Sequence, residues 1–463
     1  MSTPYEELLP GTQRALLHRI AVGQAGGRTP SLVGAVMREG RMVWSGGRSM
    51  IVRHGPDADT QYRIGSLTKT FVAVLVMRLR DEGRLDLADP VRKHLDSEAG
   101  AEGIGDPTIA QLLSHTAGLA AEARGPWWER TPGGLRPELA DVLGERPVRH
   151  PAGRTHHYSN PGYALLGALV ERLRGEPWSE VLRREVLEPL GMARTTLLPQ
   201  SPHAGGFAVH PWADVMLPEP AEDTGRMAPA GQLWSTAADL CRWTAFLAGG
   251  DERVLAAGSV AEMRVPATEP QGPDWDGGYG LGMQLMRKDG RLFAGHTGSM
   301  PGFLAALWVS EADAVGGVVL SNCTSGPAVA TIAADLAAIV ADNEPRMPEP
   351  WKPLPQADPE LLELTGPWYW GPAPFALRLL ADRALQLAPL SGAGRGSRFR
   401  PEEDGSWTGL DGYYAGETLR LGRRAADGVV DHLDLGTFVF TRQPYEQAAP
   451  VPGGVDPGGW QAG

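Results

Sequence analysis

The sequence predicts an α+β protein: a mostly antiparallel sheet flanked by helices, with a helical subdomain inserted, followed by a small antiparallel β-barrel. Three observations predict it. Strand-like stretches stand at both ends of roughly the first 340 residues and bracket a middle with helical periodicity. Beyond a proline-rich stretch, short alternating segments are separated by Gly, Asp and Pro clusters.

The elements follow in order. Ser31 to Met37 runs into a turn at Glu39-Gly40 and then Met42 to Ser45, which reads as a hairpin. A long helix is expected from about Ser66 to Glu82, apolar on nearly every side between Phe71 and Met77, with Gly83 as its stop. A helix apolar all round lies in the middle of a domain. From Leu85 to about Pro270 the signals are mainly helical. One helix is expected to be capped by Asn160, with Pro161 at its first position and Gly175 at its end. Another starts at Thr236, with Asp239 three residues on, and stops at Gly249-Gly250. Strands are expected at Gly278 to Leu285, Arg291 to Ala294, Phe303 to Val309 and Val315 to Leu320, and a helix at Val329 to Val340 closes this part. Six prolines between Pro345 and Pro359 read as a semi-rigid linker. The short segments beyond it are Phe375 to Leu380, Ala384 to Leu387, Thr418 to Leu421 and Thr437 to Thr441. The expected organisation is therefore a first domain over 1–344, a linker over 345–359 and a barrel over 360–463.

Composition narrows the function. The 463 residues suit two or three domains, at roughly 100–200 residues each. A net charge of −12 argues against nucleic acid, whose binding needs a basic face to displace counterions, and against an anionic membrane. The longest strongly apolar run, Phe71 to Met77, is too short to span a bilayer, and Met1 to Pro10 carries Glu6 and Glu7 in place of a signal-peptide core. Cys241 and Cys323 form neither a disulfide framework nor a metal spacing. The expectation is a cytoplasmic protein with no metal and no cofactor, acting on a small-molecule or peptide substrate.

Ser66-Leu67-Thr68-Lys69 puts a hydroxyl and an amine three residues apart at a helix start, on one face. Serine needs a nearby base to become a nucleophile, and a lysine serves when burial or neighbouring charge lowers its pKa. The chain holds only four lysines and nineteen serines, so about 0.2 such pairs are expected by chance. Tyr158-Ser159-Asn160 offers a phenol to relay a proton and an amide to orient Lys69 or hold a substrate amide. His296-Thr297-Gly298-Ser299 is expected just after a short strand; Gly298 would let a substrate backbone lie against the strand edge, and the Ser299 amide could donate to an oxyanion.

Taken in order, these three boxes resemble the signatures of serine penicillin-recognising enzymes. The stretches Leu112 to Leu119, Tyr158 to Gly162, Leu187 to Met192 and Gly280 to Gly282 resemble the class C β-lactamase and D-alanyl-D-alanine carboxypeptidase family. The likeness runs from about Ser31 to Asn322. It implies an acyl-enzyme on Ser66, proton transfer shared by Lys69 and Tyr158, and an oxyanion between the amides of Ser66 and Ser299. His296 departs from the lysine-bearing form of the third box, so a fixed charge for a substrate carboxylate is missing or pH-dependent. That weakens the β-lactamase reading and suits the carboxypeptidase, D-aminopeptidase and esterase branches. The tail resembles the small lipocalin-like domains of actinobacterial members. The two-part layout resembles penicillin-binding-protein-type thioesterases, which release and cyclise nonribosomal peptides, so the substrate could be thioester-linked or carried on a carrier protein.

Other residues invite chemistry less well. His156 and His157 have no third ligand in view, and His115 reads as a residue that holds a loop. Trp127, Trp128 and Trp234 read as core or rim. Gly278, Gly280 and Gly282 lack the strand-to-helix context of a nucleotide loop. A catalytically silent peptide or β-lactam binder is the alternative of a different class.

Overall fold

A computed structural model describes residues 8–51, 55–95, 103–268, 277–348, 350–356, 358–392, 394–424, 426, 428–436 and 438–444. Most of the Met1 to Pro10 stretch, the limit at Pro270, Thr437 and two positions of the 345–359 linker lie outside the described residues, as does 445–463 of the expected barrel domain. Two compact units divide the chain, Met1–Arg346 and Met347–Gly463.

In the first unit, helix α1 (Pro10–Gly26) leads into strands β1 (Ser31–Arg38) and β2 (Arg41–Ser49), the expected hairpin. Strand β3 (Tyr62–Arg63) precedes a 3₁₀ turn at Gly65–Leu67 and helix α2 (Thr68–Asp81). Ser66 therefore sits in the turn and the α-helix proper opens two residues later. The middle holds α3 (Ile109–Leu113), α4 (Leu139–Leu143), α5 (Asn160–Arg174), α6 (Trp178–Leu182), the hairpin of β4 (Phe207–Val209) and β5 (Met216–Pro218), α7 (Ala228–Gly231), β6 (Trp234–Ser235), α8 (Ala237–Gly249) and α9 (Ala257–Met263). It is less helical than its periodicity suggests: most helices are one or two turns, and β3 pairs with β6 across it. The chain returns as β7 (Gly277–Tyr279), β8 (Gln284–Lys288), β9 (Arg291–Met300), β10 (Phe303–Ser310) and β11 (Val315–Ser321), then α10 (Val329–Asn343).

The sheet has the order β2-β1-β11-β10-β9-β8-β7, every neighbouring pair antiparallel. The N-terminal hairpin joins the C-terminal strands through β1 and β11, with Leu32 opposite Ser321 and Arg38 opposite Val315. Successive side chains of a strand point to opposite faces. Leu32 and Val36 accordingly meet Leu16 and Ile20 of α1 and Ile332, Leu336 and Val340 of α10, whereas Val33, Ala35 and Met37 join the larger core with α2 and α8. Both faces of β1 are covered, which explains its unbroken burial from Ser31 to Met37. Helix α2 is buried from Thr68 to Met77 as its all-round apolarity requires, and Phe71 stacks on Trp243 of α8 at 3.9 Å between ring centroids. Each fully buried Val, Leu, Phe or Met contributes roughly 1.5–3 kcal/mol.

Three local expectations are corrected. The single strand over Gly278 to Leu285 is two strands, because Gly282 turns the chain at φ +79° and a Cβ there would lie 2.2 Å from Ala73 Cβ of α2. The cap of α5 is Ser159, whose Oγ accepts from Gly162 N; Asn160 is already helical and its side chain is used elsewhere. The His296 to Ser299 box lies inside β9, which runs six residues past the expected end at Ala294. Pairing with β10 through Met300 opposite Phe303 sustains the strand, so the box is backbone at a sheet position rather than a loop.

In the second unit α11 (Pro359–Leu364) precedes eight strands: β12 (Gly366–Trp370), β13 (Ala373–Leu379), β14 (Leu385–Pro389), β15 (Ser397–Pro401), β16 (Trp407–Gly409), β17 (Thr418–Arg423), β18 (Val430–Leu435) and β19 (Phe438–Thr441). They form a closed up-and-down barrel, sealed by Tyr369 of β12 opposite Thr441 of β19. Its core is filled by Trp368, Leu377, Leu387, Phe399, Leu419 and Phe440. Closure removes free sheet edges. Among the described residues no helix is long and apolar enough to cross a membrane.

Candidate active site

The site begins with a close approach of two backbones. Gly65, one residue before Ser66, has φ +54°, and a Cβ there would lie 2.6 Å from Ser299 N; a Cβ on Gly298 would lie 1.9 Å from Ile64 O. Only glycine at both positions lets β9 press on the nucleophile turn. That contact brings the Ser299 amide against Gly65, the residue before Ser66. Thr297 is held by Gln284 of β8, whose Oε1 accepts from both its N–H and its Oγ1–H at 3.0 and 3.1 Å.

Lys69 is completely buried on the first turn of α2. Its Nζ lies 3.0 Å from Ser66 Oγ, 2.8 Å from Asn160 Oδ1 and 2.6 Å from Ala230 O. Desolvation lowers its pKa to about 7, against the opposing influence of the Glu122 and Glu129 carboxylates. The free amine is therefore accessible to Lys69 near neutral pH. A free amine has two N–H bonds and one lone pair. With Asn160 and Ala230 accepting the two protons, the lone pair is left for the Ser66 hydroxyl. The geometry thus suits transfer of the Ser66 proton to Lys69.

The Tyr158 phenol is close enough to Ser66 for the serine to act on its ionisation, and its ring centroid is 4.9 Å from Lys69 Nζ. Burial raises its pKa, so it stays protonated where Lys69 is losing its proton. The two groups that flank Ser66 are pushed in directions that separate an acceptor from a donor.

Asn160 is oriented by Glu122: its Nδ2 donates to Glu122 Oε1 and Oε2 at 3.0 and 3.1 Å, which turns its carbonyl to Lys69. Trp128 Nε1 donates to the same carboxylate at 2.8 Å, and Trp127 Nε1 donates to Glu129 at 2.8 Å. Glu122, Glu129 and the Ala230 carbonyl carry no motif that marks them in the sequence. Trp128 is core, as its type suggests, with its indole N–H spent on the site.

His296 differs most from expectation. The sequence leaves the charge at this position either missing or pH-dependent. The ring is completely buried, between the Tyr279 hydroxyl and the Thr297 carbonyl, and desolvation lowers its pKa to about 3. Burial keeps it neutral at physiological pH, so the charge is missing rather than pH-dependent, and His296 gives no pH-dependent grip on a carboxylate. Ser66, Lys69, Tyr158 and Asn160 converge on one point, Thr297 to Ser299 flank it, and His296 supports them from behind. His115, read as holding a loop, does so: it bonds the backbone on both sides of Tyr158.

Fold and site together define a β-lactamase-type domain. The β-lactamase family model matches residues 17–342, and the chain belongs to that family of serine hydrolases. A second model, a domain of unknown function (DUF7586), matches 357–442. Penicillin-binding protein 4 of Amycolatopsis lactamdurans is 31% identical over 291 residues, 57% of this chain and 72% of that protein. The crystal structure of a D-stereospecific amidohydrolase from a Streptomyces species aligns at TM-score 0.55 and 26% identity, over 73% of this chain and 98% of the other. The crystal structure of SurE aligns at TM-score 0.57 and 25% identity, over 94% of this chain and 99% of the other.

Proposed function

We propose that the protein is a serine hydrolase that forms an acyl-enzyme on Ser66 and acts on amides or esters of D-configured, amine-bearing acyl groups. The observation that carries the reaction is the buried Lys69, held by Asn160 and Ala230 with its lone pair toward Ser66. Ser66 Oγ attacks the substrate carbonyl as its proton passes to Lys69. The tetrahedral oxyanion is received by the amides of Ser66 and Ser299. Tyr158 donates its proton to the leaving amine or alcohol and recovers one from Lys69, so the net transfer runs from Ser66 to the leaving group. Water then cleaves the acyl-Ser66 ester, and its proton returns to Ser66 by the same path.

Electrostatics argue for the substrate class. The β9 box offers no charge to a carboxylate, because His296 is neutral. Two carboxylates, Glu122 and Glu129, act on Lys69, and Trp127 Nε1 donates to Glu129. A substrate ammonium would complete this side of the cleft. The likeness to the D-stereospecific amidohydrolase supports the D-configuration. A charge-assisted hydrogen bond is worth about 1.5–3 kcal/mol, so kcat/KM for D-phenylalanine p-nitroanilide should exceed that of its N-acetyl form by roughly 10–100-fold. Equal turnover, or preference for an acyl-D-alanyl-D-alanine with a free carboxylate, would overturn the substrate class.

Glu122 supplies a second test. Its charge raises the Lys69 pKa, so Glu122→Gln should move the acid limb of the kcat/KM profile below its wild-type midpoint near pH 7. A limb that rises or stays would remove Lys69 as the titrating base.

A second reading is a penicillin-binding-protein-type thioesterase that releases and macrocyclises a nonribosomal peptide, its substrate carried as a thioester. The two-unit layout favours it, since that layout is the feature in which the sequence resembles those enzymes. A peptidyl thioester ending in a D-residue would then yield a cyclic product.

A further inference from the structure

We propose that His115, Tyr279 and His296 form a buried relay that positions Tyr158 and ties it to the β9 box, which makes Tyr279 and His115 positioning residues for the reaction. Four hydrogen bonds run in sequence. Ser159 N–H donates to His115 Nδ1 at 3.0 Å, and His115 Nε2 meets the Tyr279 hydroxyl at 3.1 Å. That hydroxyl meets His296 Nε2 at 3.0 Å, and His296 Nδ1 meets Thr297 O at 2.5 Å. The two ends fix every proton. A backbone N–H at His115 Nδ1 leaves the proton on Nε2, directed to Tyr279 oxygen; the Thr297 carbonyl requires a proton on His296 Nδ1, so His296 Nε2 accepts from Tyr279. One arrangement satisfies all four bonds, with both imidazoles neutral.

The relay surrounds Tyr158. His115 accepts from the amide after Tyr158, and its carbonyl accepts from the amide before it, His157 N, at 2.8 Å. The His115 ring lies 4.1 Å from the Tyr158 ring, with the Tyr279 and His296 rings at 6.4 and 6.1 Å. His115 is held at φ +58°, a left-handed conformation that non-glycine residues adopt only where the surroundings enforce it. The far end of the relay is Thr297, two residues before Ser299. The phenol and the strand that carries the oxyanion-binding amide are thereby set by one network, although they lie more than a hundred residues apart in the chain.

The inference rests on Tyr158 protonating the leaving group, and the test separates the two. An amide needs that proton; p-nitrophenolate leaves without it. Tyr158→Phe should therefore lose turnover of D-phenylalanine amide and largely keep that of D-phenylalanine p-nitrophenyl ester. Tyr279→Phe removes one hydroxyl and two relay bonds. It should show the same split, roughly tenfold or more in kcat on the amide and little on the ester. Combined with Tyr158→Phe it should add nothing, because both act through one group. Equal loss on both substrates, or additive loss on the amide, would reduce the relay to ordinary core. A Tyr158→Phe enzyme that spares the amide would instead overturn the reaction assignment. If Tyr279→Phe does not fold, a pair at His115 decides. Asn there imitates Nδ1 and keeps the Ser159 bond; Gln imitates Nε2 and loses it. Amide turnover should survive better in His115→Asn than in His115→Gln, and equal values in the two would contradict the positioning role.

Discussion

Ser66→Ala should lower kcat by roughly 10⁴–10⁶-fold on every substrate the enzyme turns over, while its thermal and urea midpoints stay near those of the wild type. The reason lies in how little else of the site depends on the hydroxyl. Lys69 keeps its bonds to Asn160 and Ala230, Asn160 keeps Glu122, and the amides on either side of Tyr158 keep their bonds to His115. Ser66 is half-buried in a 3₁₀ turn whose shape is set by Gly65 and by the β9 contact, neither of which involves its side chain. Loss of one hydroxyl there costs about 1 kcal/mol or less in stability. Steady-state kinetics and a denaturant curve on the same preparation check both halves. Substantial turnover in the folded variant would transfer the nucleophile to another group.

Lys69→Met should cost roughly 10²–10⁴-fold in kcat and remove the acid limb of the pH profile. Methionine approximates the volume of lysine, so the buried space on α2 stays filled, although Asn160 Oδ1 and Ala230 O each lose a donor at about 1–3 kcal/mol. The sign of the pH effect follows from the role. A base works deprotonated, and a lysine lowered to about 7 becomes available as pH rises through that value, so wild-type kcat/KM should climb between about pH 6 and 8. Tyr158, raised by burial, contributes no falling limb in that range. On an N-acetylated substrate, which has no amine to titrate in that range, the residual activity of Lys69→Met should be flat there. A limb that persists near pH 7 in the variant would belong to some other group.

What the sequence made legible was whatever local pattern controls. The β1–β2 hairpin, the all-apolar α2, the Thr236 cap and the strands β10 and β11 are written in periodicity and turn residues, and the structure has them. Helix α1 was missed because its apolar side is thin, chiefly Leu16 and Ile20 toward the core, and its start has no capping side chain. The end of β9 was missed because pairing with β10 overrides the turn-like look of His296-Thr297-Gly298. In the site, Ser66, Lys69, Tyr158 and Asn160 stand out through spacing. Glu122 does not, since a carboxylate in a loop acquires its role only when Asn160 and Trp128 meet it. His296 leaves a charge either missing or pH-dependent in the sequence, and burial decides that it is missing. Environment decides ionisation, and environment is tertiary.

The central claim is a covalent acyl group on Ser66, and intact mass tests it most directly. The full-length protein is mixed with D-phenylalanine p-nitrophenyl ester, quenched in acid within the burst, weighed, and digested to locate the added group. The account predicts one added D-phenylalanyl group, recovered on the peptide that contains Ser66, and no addition to Ser66→Ala. An acyl group mapped to another residue, an equal addition to Ser66→Ala, or turnover of the ester with no acylated species at any quench time would contradict it.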